Sequence, residues 1–376
     1  MIIHRNLISV LTITALFLTG ICGDKVYAQE YEIRTRLEKA RPLFRQDPLT
    51  VCFMGDIMMH PKQLETAYKD EDTYDFSSYF NLIEDRINGA DLAVANMEFT
   101  LGGKPYTGYP CFSAPDCYAT YLADCGFDVF LAANNHILDK GSEGAERTAE
   151  IYRRMKAEGK IMFTGLAGNE EERSGNYPLL IRRKGISLAL LNITYGTNLG
   201  STQHWPKTNY MGVRTEIKAA LDNAEKADIT IVLPHWGPEY QTTHSDSQEK
   251  TAEWLVENGA DIIIGAHPHV VQDTAYIDKV PVIYSLGNAV SNMSAEDTQL
   301  ELMATLRIIR HGNGDISMAP IELTWLWCSR PGGYNNDYTV IPVEEYIGRK
   351  SEWLGGWDYD KMMATYERIR NNRYYK

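Results

Sequence analysis

Residues 49–60, LTVCFMGDIMMH, decide the fold, because an apolar run typical of a β-strand ends abruptly in a Gly-Asp pair and a histidine. Four other apolar runs along the chain end in the same way. The polar clusters that follow them are Asn96-Met97-Glu98, Asn134-Asn135-His136, His235-Trp236-Gly237 and Gly265-Ala266-His267-Pro268-His269. Ligands of α/β sheets gather outside the carboxyl ends of strands, so the pattern predicts one polar site at a sheet edge.

Strand-like and helix-like segments alternate along the rest of the chain. The strand pattern predicts strands at 49–54, 92–95, 129–133, 229–233, 262–264 and 282–285. Helical spacing predicts helices at 76–88, 115–125, 143–158, 215–227 and 247–258. A hairpin is predicted at 179–193, and alternating runs at 300–310 and 316–328 flank a Gly-Asn-Gly turn. This order predicts a layered α/β core with mixed sheets.

Length and composition are those of a globular protein. The chain has 376 residues, 44% apolar and 23% charged, which argues against a disordered, collagen-like or multi-span membrane protein. Its 37 Lys and Arg against 50 Asp and Glu give a net charge of −13 with no basic stripe, so nucleic acid is not an expected partner. We predict a leader at 29–48, a main domain at 49–328 and a C-terminal cap or tail at 329–376.

The first 28 residues have the pattern of a secretory signal peptide. Arg5 precedes an apolar run from Leu7 to Leu18, and small residues at Val26 and Ala28 suit cleavage after Ala28. An uncleaved N-terminal anchor and lipidation at Cys22 are the alternatives. All three predict an extracytoplasmic protein, whether periplasmic, secreted or membrane-anchored.

Cysteine usage does not predict a metal-thiolate site. The five cysteines after residue 28 include no CxxC pair. In an oxidising compartment Cys111 and Cys117 could form a disulfide across a short loop, while the ordinary interpretation of Cys52 in its apolar strand is a buried free thiol.

The five clusters contain hard-to-borderline metal ligands. Five of the nine histidines lie in them, together with Asp, Glu and Asn. This donor set suits Zn, Mn or Fe. Taken singly, each cluster also has a structural interpretation, such as a helix cap, a solvated acid or a buried core histidine. The His-x-His pair is stronger, because alternate residues of an extended chain face the same side.

Seven motifs together resemble those of a known family. The sequence resembles the calcineurin-like metallophosphoesterase superfamily and, more closely, the CapA family of capsule-synthesis (poly-γ-glutamate) proteins, from about residue 50 to 310. The motifs are GDIMMH (55–60), ANMEFTLGG (95–103), AANNHILDKG (132–141), LNITYGTN (191–198), PHWGPEY (234–240), GADIIIGAHPHVVQ (259–272) and YSLGNAV (284–290). The resemblance implies a two-sheet α/β sandwich of the metallophosphoesterase type, with mixed sheets flanked by helices and a C-terminal extension.

The resemblance also implies a site with two divalent transition-metal ions (Mn, Fe or Zn) that activates water for hydrolysis. Asp56 and His269 would hold one ion, with Asp56 also taking part in catalysis, whereas the other ion would be held by Asn135, His235 and His267. Glu98 replaces the Asp that bridges the ions in the superfamily. Met58 stands where the superfamily has a histidine, so His60, two residues later, is only a candidate ligand. His136 would lie near the leaving group and donate it a proton.

Further residues near the strand ends are predicted to bind substrate. They are Asn96, Tyr195, Asn198, Trp236, Glu239, Tyr240 and Asn288. The alternatives are rim packing for Tyr195 and Trp236, and a turn cap for Asn288. Asp139, four residues after Asn135, is expected to order a loop or a neighbouring histidine.

Two functions remain open from the sequence. The first is an extracytoplasmic metal-dependent hydrolase that cleaves a phosphoester, or a γ-glutamyl bond, in a capsule or cell-envelope polymer. The second is a non-catalytic capsule assembly or export factor with a structural or vestigial metal site. Expected partners are an anionic polymer or phosphoester substrate and a membrane capsule-synthase complex. Retention of the whole ligand set favours the hydrolase.

Overall fold

Short strands and helices alternate along the chain. The computed structural model describes residues 47–71, 73–200 and 204–371. Pro48–Arg310 and the described residues from Ile316 onward form one unit. Asp47 and His311–Asp315 are assigned to another, and within it the backbone N–H of His311 donates to the carbonyl of Asp315 at 2.8 Å. The two large sheets described below lie in the first unit.

Seventeen strands and nine α-helices make up the described part of the chain. The strands are β1 (Leu49–Ile57), β2 (Leu92–Met97), β3 (Val129–Leu131), β4 (Met162–Thr164), β5 (Leu166–Ala167), β6 (Leu179–Arg183), β7 (Ile186–Thr194), β8 (Lys207–Thr208), β9 (Ile229–His235), β10 (Ile262–Ile264), β11 (Thr274–Ile277), β12 (Val280–Ile283), β13 (Asn288–Val290), β14 (Leu300–Arg310), β15 (Ile316–Met318), β16 (Glu322–Ser329) and β17 (Thr339–Pro342). The helices are α1 (Pro61–Ala67), α2 (Glu84–Asn88), α3 (Asp116–Asp124), α4 (Gly141–Ala157), α5 (Glu170–Asn176), α6 (Arg214–Ala224), α7 (Asp246–Glu257), α8 (Val343–Tyr346) and α9 (Gly356–Asn371).

Two large sheets form the body of the described protein, and both are mixed. The first has the order β17-β16-β14-β1-β2-β3-β4, with β13 beside β1 and β15 beside β14. Its β1, β2, β3, β4 and β13 are parallel, whereas β14, β15, β16 and β17 run antiparallel to their neighbours. The second has the order β11-β12-β10-β9-β7-β6, with parallel pairing from β12 to β7 and antiparallel strands at both edges.

The sheets pack face to face with helices outside them. Along β1, Leu49, Val51 and Phe53 pack in one core with residues of the second sheet, while Cys52 and Met54 pack in another with the helices on the opposite face. This division follows from the two-residue period of a strand. The helices α6 and α7 cover the outer face of the second sheet. The predicted two-sheet α/β sandwich with mixed sheets is therefore confirmed.

Two predicted elements were wrong in their extent. Helical spacing predicted a helix at 76–88, but only Glu84–Asn88 is helical, and the residues before it form turns in which Phe76 and Phe80 accept bonds from residues three positions later. Asp75 favours such turns, because its Oδ1 accepts hydrogen bonds from the backbone N–H of Ser77 at 3.0 Å and from the Ser77 hydroxyl at 2.6 Å. The alternating run at 316–328 is split into β15 and β16, since Pro320 between them has no N–H for the ladder.

Several expectations lie outside the described residues. The predicted signal peptide and all but the last two residues of the predicted leader are among them, so these stay predictions. In the described part, no helix is long and apolar enough to cross a membrane. Cys111 and Cys117 are free thiols in this structure rather than the disulfide considered from sequence.

The described residues after 328 join the first sheet through one strand and pack onto it through the last helix. The strand β17 pairs with β16, and α9 packs onto the same core as β14 and β16. Asp358 of α9 is fully buried and accepts hydrogen bonds from Ser329 Oγ at 2.6 Å, Gln299 Nε2 at 3.2 Å and Trp327 Nε1 at 3.3 Å. This carboxylate joins the last helix to the strands beneath it.

We expect Asp358→Ala to lower the free energy of unfolding by about 2–4 kcal/mol, because it leaves buried donors without an acceptor. Asp360→Ala is the matched control. Its carboxylate is 62% exposed and pairs with Lys350 on the surface, so its loss should cost less than about 1 kcal/mol. Urea unfolding of both variants in chelator-treated buffer measures the difference, and equal midpoints would contradict this role of Asp358.

Candidate metal centre

Asp56 lies near the end of β1, where the backbone of this strand approaches Gly287 closely. A Cβ on the preceding Gly55 would lie 1.9 Å from the carbonyl oxygen of Gly287, so only glycine allows this approach. The N–H of Gly55 donates to Glu301 Oε1 at 2.8 Å. The fully buried Asp56 accepts hydrogen bonds from Asn96 Nδ2 at 2.7 Å and from the backbone N–H of His267 at 3.1 Å. Its carboxylate is therefore fixed in orientation.

Glu98 follows β2 directly, and its backbone N–H donates to the carbonyl of Ile57 at 3.0 Å. The side chain is fully buried, yet neither carboxylate oxygen accepts a hydrogen bond. Its Oε1 lies 3.6 Å from His235 Nε2, 3.7 Å from His269 Nε2 and 3.9 Å from His136 Nε2. These contacts are too long for hydrogen bonds but close to the spacing, about 3.0–3.5 Å, of two ligands on one ion.

The loop after β3 contributes an amide and an imidazole. Asn135 Oδ1 lies 2.7 Å from His235 Nε2. His136 Nδ1 lies 2.7 Å from Asp139 Oδ2, which confirms that Asp139 orders a histidine. With Nδ1 donating to this carboxylate, Nε2 is the ring nitrogen that remains for the site. Asn198 Nδ2 lies 3.4 Å from Nε2.

The remaining histidines come from the second sheet. His235 is the last residue of β9, and His267 and His269 lie in the loop after β10. Both loop histidines have positive φ, +96° and +58°, which non-glycine residues rarely adopt. The loop therefore turns sharply at each of them, and their rings lie 5.6 Å apart. Such strained positions are typical of functional sites.

Burial sets the protonation of these groups. It lowers the pKa of His235 to about 3 and that of His267 well below its usual value, so both imidazoles are neutral and available as ligands. Burial, followed by the nearby charge of Asp56, raises the pKa of Glu98 well above its usual value. Burial opposes ionisation of Asp56 too, but its hydrogen bond with His269 holds its pKa below the usual range.

The donor set fits a divalent cation. The ligand atoms of Asp56, Glu98 and His269 lie within 4.8 Å of one another, and so do those of Glu98, His235 and His267. Glu98 belongs to both groups, as expected of a bridging residue. A buried carboxylate without a hydrogen-bond partner is strongly unfavourable unless a cation compensates it. The buried groups are thus suited to a metal site, while the individual ligand roles stay predictions.

A cavity of about 390 Å³ lies beside these groups. This size suits a small substrate group. Its lining comes from the strand-end loops of both sheets, and no Lys or Arg is among the described residues that form it. The lining residues are Met58, His60, Tyr109, Pro110, Cys111, His136, Asn198, Leu199, Glu239, Tyr240, His269 and Met293.

The predicted substrate-binding residues divide into two sets. Asn198, Glu239 and Tyr240 line the cavity, and the half-exposed Tyr195 packs its ring 4.6 Å from that of His267. The others are buried beneath the site and do not line the cavity, contrary to the prediction. They are Asn96, Trp236 and Asn288.

Their burial has a clear structural cause. Asn96 lies between two predicted ligands, donating to Asp56 and lying 3.3 Å from His235 Nδ1. Trp236 stacks on Tyr284 and donates its indole N–H to the carbonyl of that residue at 2.9 Å. Asn288 Oδ1 lies 2.9 Å from His269 Nδ1. These side chains contact predicted ligands or pack the loop, and none of them lines the cavity.

His60 lies in the cavity wall but in neither of the two ligand groups that share Glu98. Its Nδ1 lies 3.2 Å from Gln63 Oε1 and 3.3 Å from the backbone N–H of Asn292. Burial lowers its pKa to about 4. The structure thus gives His60 hydrogen-bond partners of its own, and its predicted metal role has no geometric support.

Sequence reasoning missed two supporting residues. Asn134 donates to Asn96 Oδ1 at 3.2 Å and to the carbonyl of Met97 at 2.9 Å. Glu301 is fully buried and holds the backbone beside Asp56 through Gly55. The signal in the sequence was that Glu301 is the one acidic residue in the apolar run at 300–310.

Comparison with known proteins identifies the family. Residues 50–293 match the family described as "Bacterial capsule synthesis protein PGA_cap". The chain belongs to that family. The matched range includes every predicted ligand of this PGA_cap protein and the whole lining of the cavity, whereas α9 lies beyond it.

Two relatives are similar to this chain along most of their length. The "PGA biosynthesis protein CapA" of Bacillus subtilis (strain 168) is 26% identical over 292 residues, which cover 74% of this chain and 73% of that protein. The "Capsule biosynthesis protein CapA" of Bacillus anthracis is 26% identical over 304 residues, 77% of this chain and 71% of that protein. The predicted membership in a CapA-like capsule biosynthesis family is confirmed.

Two solved structures are similar at a lower level. A hypothetical protein from Thermus thermophilus has a TM-score of 0.41 and 16% identity, covering 73% of this PGA_cap chain and 98% of its own. The NAD nucleotidase NadN of Haemophilus influenzae has a TM-score of 0.41 and 13% identity, covering 86% of this chain and 67% of its own.

Proposed function

We propose that this protein is an extracytoplasmic, metal-dependent hydrolase that cleaves a phosphoester, or a γ-glutamyl bond, in a capsule or cell-envelope polymer. The observation that carries the proposal is the fully buried carboxylate of Glu98, which lacks a hydrogen-bond partner and lies among histidine Nε2 atoms. Membership in a capsule synthesis family supports the polymer as substrate and a membrane synthase complex as partner.

Six residues would hold the metal, which we propose to be two ions of Mn, Fe or Zn. They are Asp56, Glu98, Asn135, His235, His267 and His269. When bound, such ions polarise the scissile group and lower the pKa of water. The neutral imidazoles and the amide of Asn135 add no negative charge, which keeps the loaded site attractive to an anion in a chain of net charge −13.

The chain itself supplies the proton for the leaving group. His136 lines the cavity, and its Nε2 faces the site because Asp139 holds Nδ1. In protonated form, Nε2 would donate to the departing oxygen or nitrogen. Asn198, whose backbone N–H donates to the carbonyl of Asn135 at 2.8 Å, holds the second-sheet loop against this histidine.

We expect His235→Ala to lose most bound metal and most hydrolytic activity. The full chain, purified without chelator, should carry close to two divalent ions by elemental mass spectrometry and hydrolyse bis(p-nitrophenyl) phosphate or γ-glutamyl-p-nitroanilide. His244→Ala is the matched control, because His244 pairs with Asp273 Oδ2 at 2.7 Å outside the ligand groups.

Two results would overturn the proposal. One is a wild-type chain that binds no metal even after incubation with Mn, Fe or Zn. The other is wild-type activity in His235→Ala. Metal binding without hydrolysis of any substrate would instead favour the assembly or export function.

A further inference from the structure

Glu239 has a position that substrate contact alone does not explain. Its carboxylate oxygen and the ring nitrogens of His267 and His269 lie within 4.8 Å of one another. Both histidines are almost fully buried, and Nδ1 of His267 has no hydrogen-bond partner. Glu239 is exposed and lines the cavity. A carboxylate therefore reaches the two histidines from the solvent side, whereas Glu98 is buried.

The backbone on both sides of Glu239 is fixed. The N–H of Trp236 donates to the carbonyl of Ala266 at 3.0 Å, and that of Tyr240 donates to the carbonyl of Pro268 at 2.9 Å. Tyr240 has a φ of +65°, which directs the chain back toward the histidine loop. The segment that carries Glu239 is thus bonded to the segment that carries His267 and His269.

Gly237 allows this short turn. Its φ is +88°. A Cβ on Gly237 would lie 2.4 Å from the side-chain amide carbon of Gln248, a buried residue at the start of α7. A turn that requires glycine and two cross-loop hydrogen bonds holds Glu239 far more firmly than an ordinary surface acid. The backbone that carries this carboxylate is therefore fixed beside the two histidines.

We propose that Glu239 is itself a ligand of the metal centre, on the side open to the cavity, in place of the substrate contact predicted from sequence. The inference rests on the metal centre of the proposed function. With Glu239 bound, a carboxylate occupies the accessible side of the centre. An anionic group of the substrate displaces the Glu239 carboxylate from the metal. Without substrate, this carboxylate keeps other anions from binding the metal.

The test measures Mn²⁺ affinity rather than activity. The EPR signal of free Mn²⁺ gives the bound fraction for the wild-type chain, Glu239→Gln and Glu253→Gln. Glu253 is an exposed acid of α7 and serves as the matched control. We expect Glu239→Gln to weaken Mn²⁺ binding about 10- to 100-fold, because even the loss of a residue that only supports a metal ligand lowers metal affinity by this factor. Glu253→Gln should bind Mn²⁺ as tightly as the wild type.

Salt separates ligation from a distant charge effect. A through-space attraction is screened at about 0.5 M salt, whereas a metal–ligand bond is not, so the loss in Glu239→Gln should persist there. Inorganic phosphate should also bind the Mn²⁺-loaded variant more tightly than the wild type, since the position is vacant. Affinity within twofold of the wild type, or a loss abolished by salt, overturns the role of Glu239 alone. A wild-type chain that binds no Mn²⁺ overturns the proposed function and this inference together.

Discussion

Glu98→Gln is expected to abolish metal binding and to lower hydrolysis at least about a thousandfold. The substitution keeps the size of the side chain but removes the charge that belongs to both groups of ligand atoms. Metal ions stabilise the transition state by several kcal/mol, and about 1.4 kcal/mol corresponds to each factor of ten in rate. Elemental mass spectrometry and hydrolysis of bis(p-nitrophenyl) phosphate measure the two effects.

The same substitution should leave the metal-free protein as stable as the wild type, or more so. Without a cation, Glu98 is a buried carboxylate with no hydrogen-bond partner, and glutamine carries no charge to desolvate. Chelator should therefore lower the melting temperature of the wild type but not that of Glu98→Gln.

Glu301→Gln is the matched control for this effect. Glu301 is equally buried, but its Oε1 accepts the N–H of Gly55, and a glutamine can preserve that bond. The control should retain metal. If Glu98→Gln also retained metal, or if both variants lost it, Glu98 would not be the specific ligand inferred from its geometry.

Local sequence patterns predicted the sheets well, because the apolar residues of a strand show by themselves that it is buried and where it ends. In β1, alternate residues divide between the two cores, and the apolar run stops where Asp56 turns toward the site. Five apolar runs that end in this way were enough to predict that their polar clusters lie close together. The structure brings Asp56 of β1, Glu98 just after β2 and His235 at the end of β9 together.

Contacts between distant segments were not predictable in the same way. The spacing of Phe76, Tyr79 and Phe80 fits a helix, but it equally fits successive turns that bury the same aromatic rings. The sequence pattern places Asn96 and Trp236 just after apolar runs, as it does the residues that line the cavity, although Asn96 is in fact the fifth residue of β2. Contacts with distant segments decide that they are buried: Asn96 lies against His235 of the second sheet, and Trp236 packs on Tyr284 in the core on the outer face of that sheet.

For the His-x-His pair, the sequence predicted for the wrong reason that both imidazoles lie on the same side. Extended geometry was the reason to expect both imidazoles on one side. Instead, His267 and His269 converge through two left-handed residues separated by Pro268. Sequence patterns describe the period of regular elements, whereas this loop is held by tertiary bonds such as that from His267 N–H to Asp56 Oδ2.

His136→Ala should lower the rate of hydrolysis about 10²- to 10⁴-fold while leaving the metal content unchanged. The imidazole lines the cavity and is fixed by Asp139, and its Nε2 lies 3.9 Å from Glu98 Oε1. As a proton donor to the leaving group, it matters most when that group is a poor one.

A pair of aryl phosphoesters tests this assignment. We expect the defect of His136→Ala to be large for an unsubstituted phenyl ester and small for a p-nitrophenyl ester, whose leaving group needs little protonation. Asp139→Asn removes the carboxylate that orients the ring through Nδ1, so it should also reduce the rate without loss of metal. Equal defects on both esters would exclude proton donation by His136, and loss of metal from His136→Ala would assign it to the ligands instead.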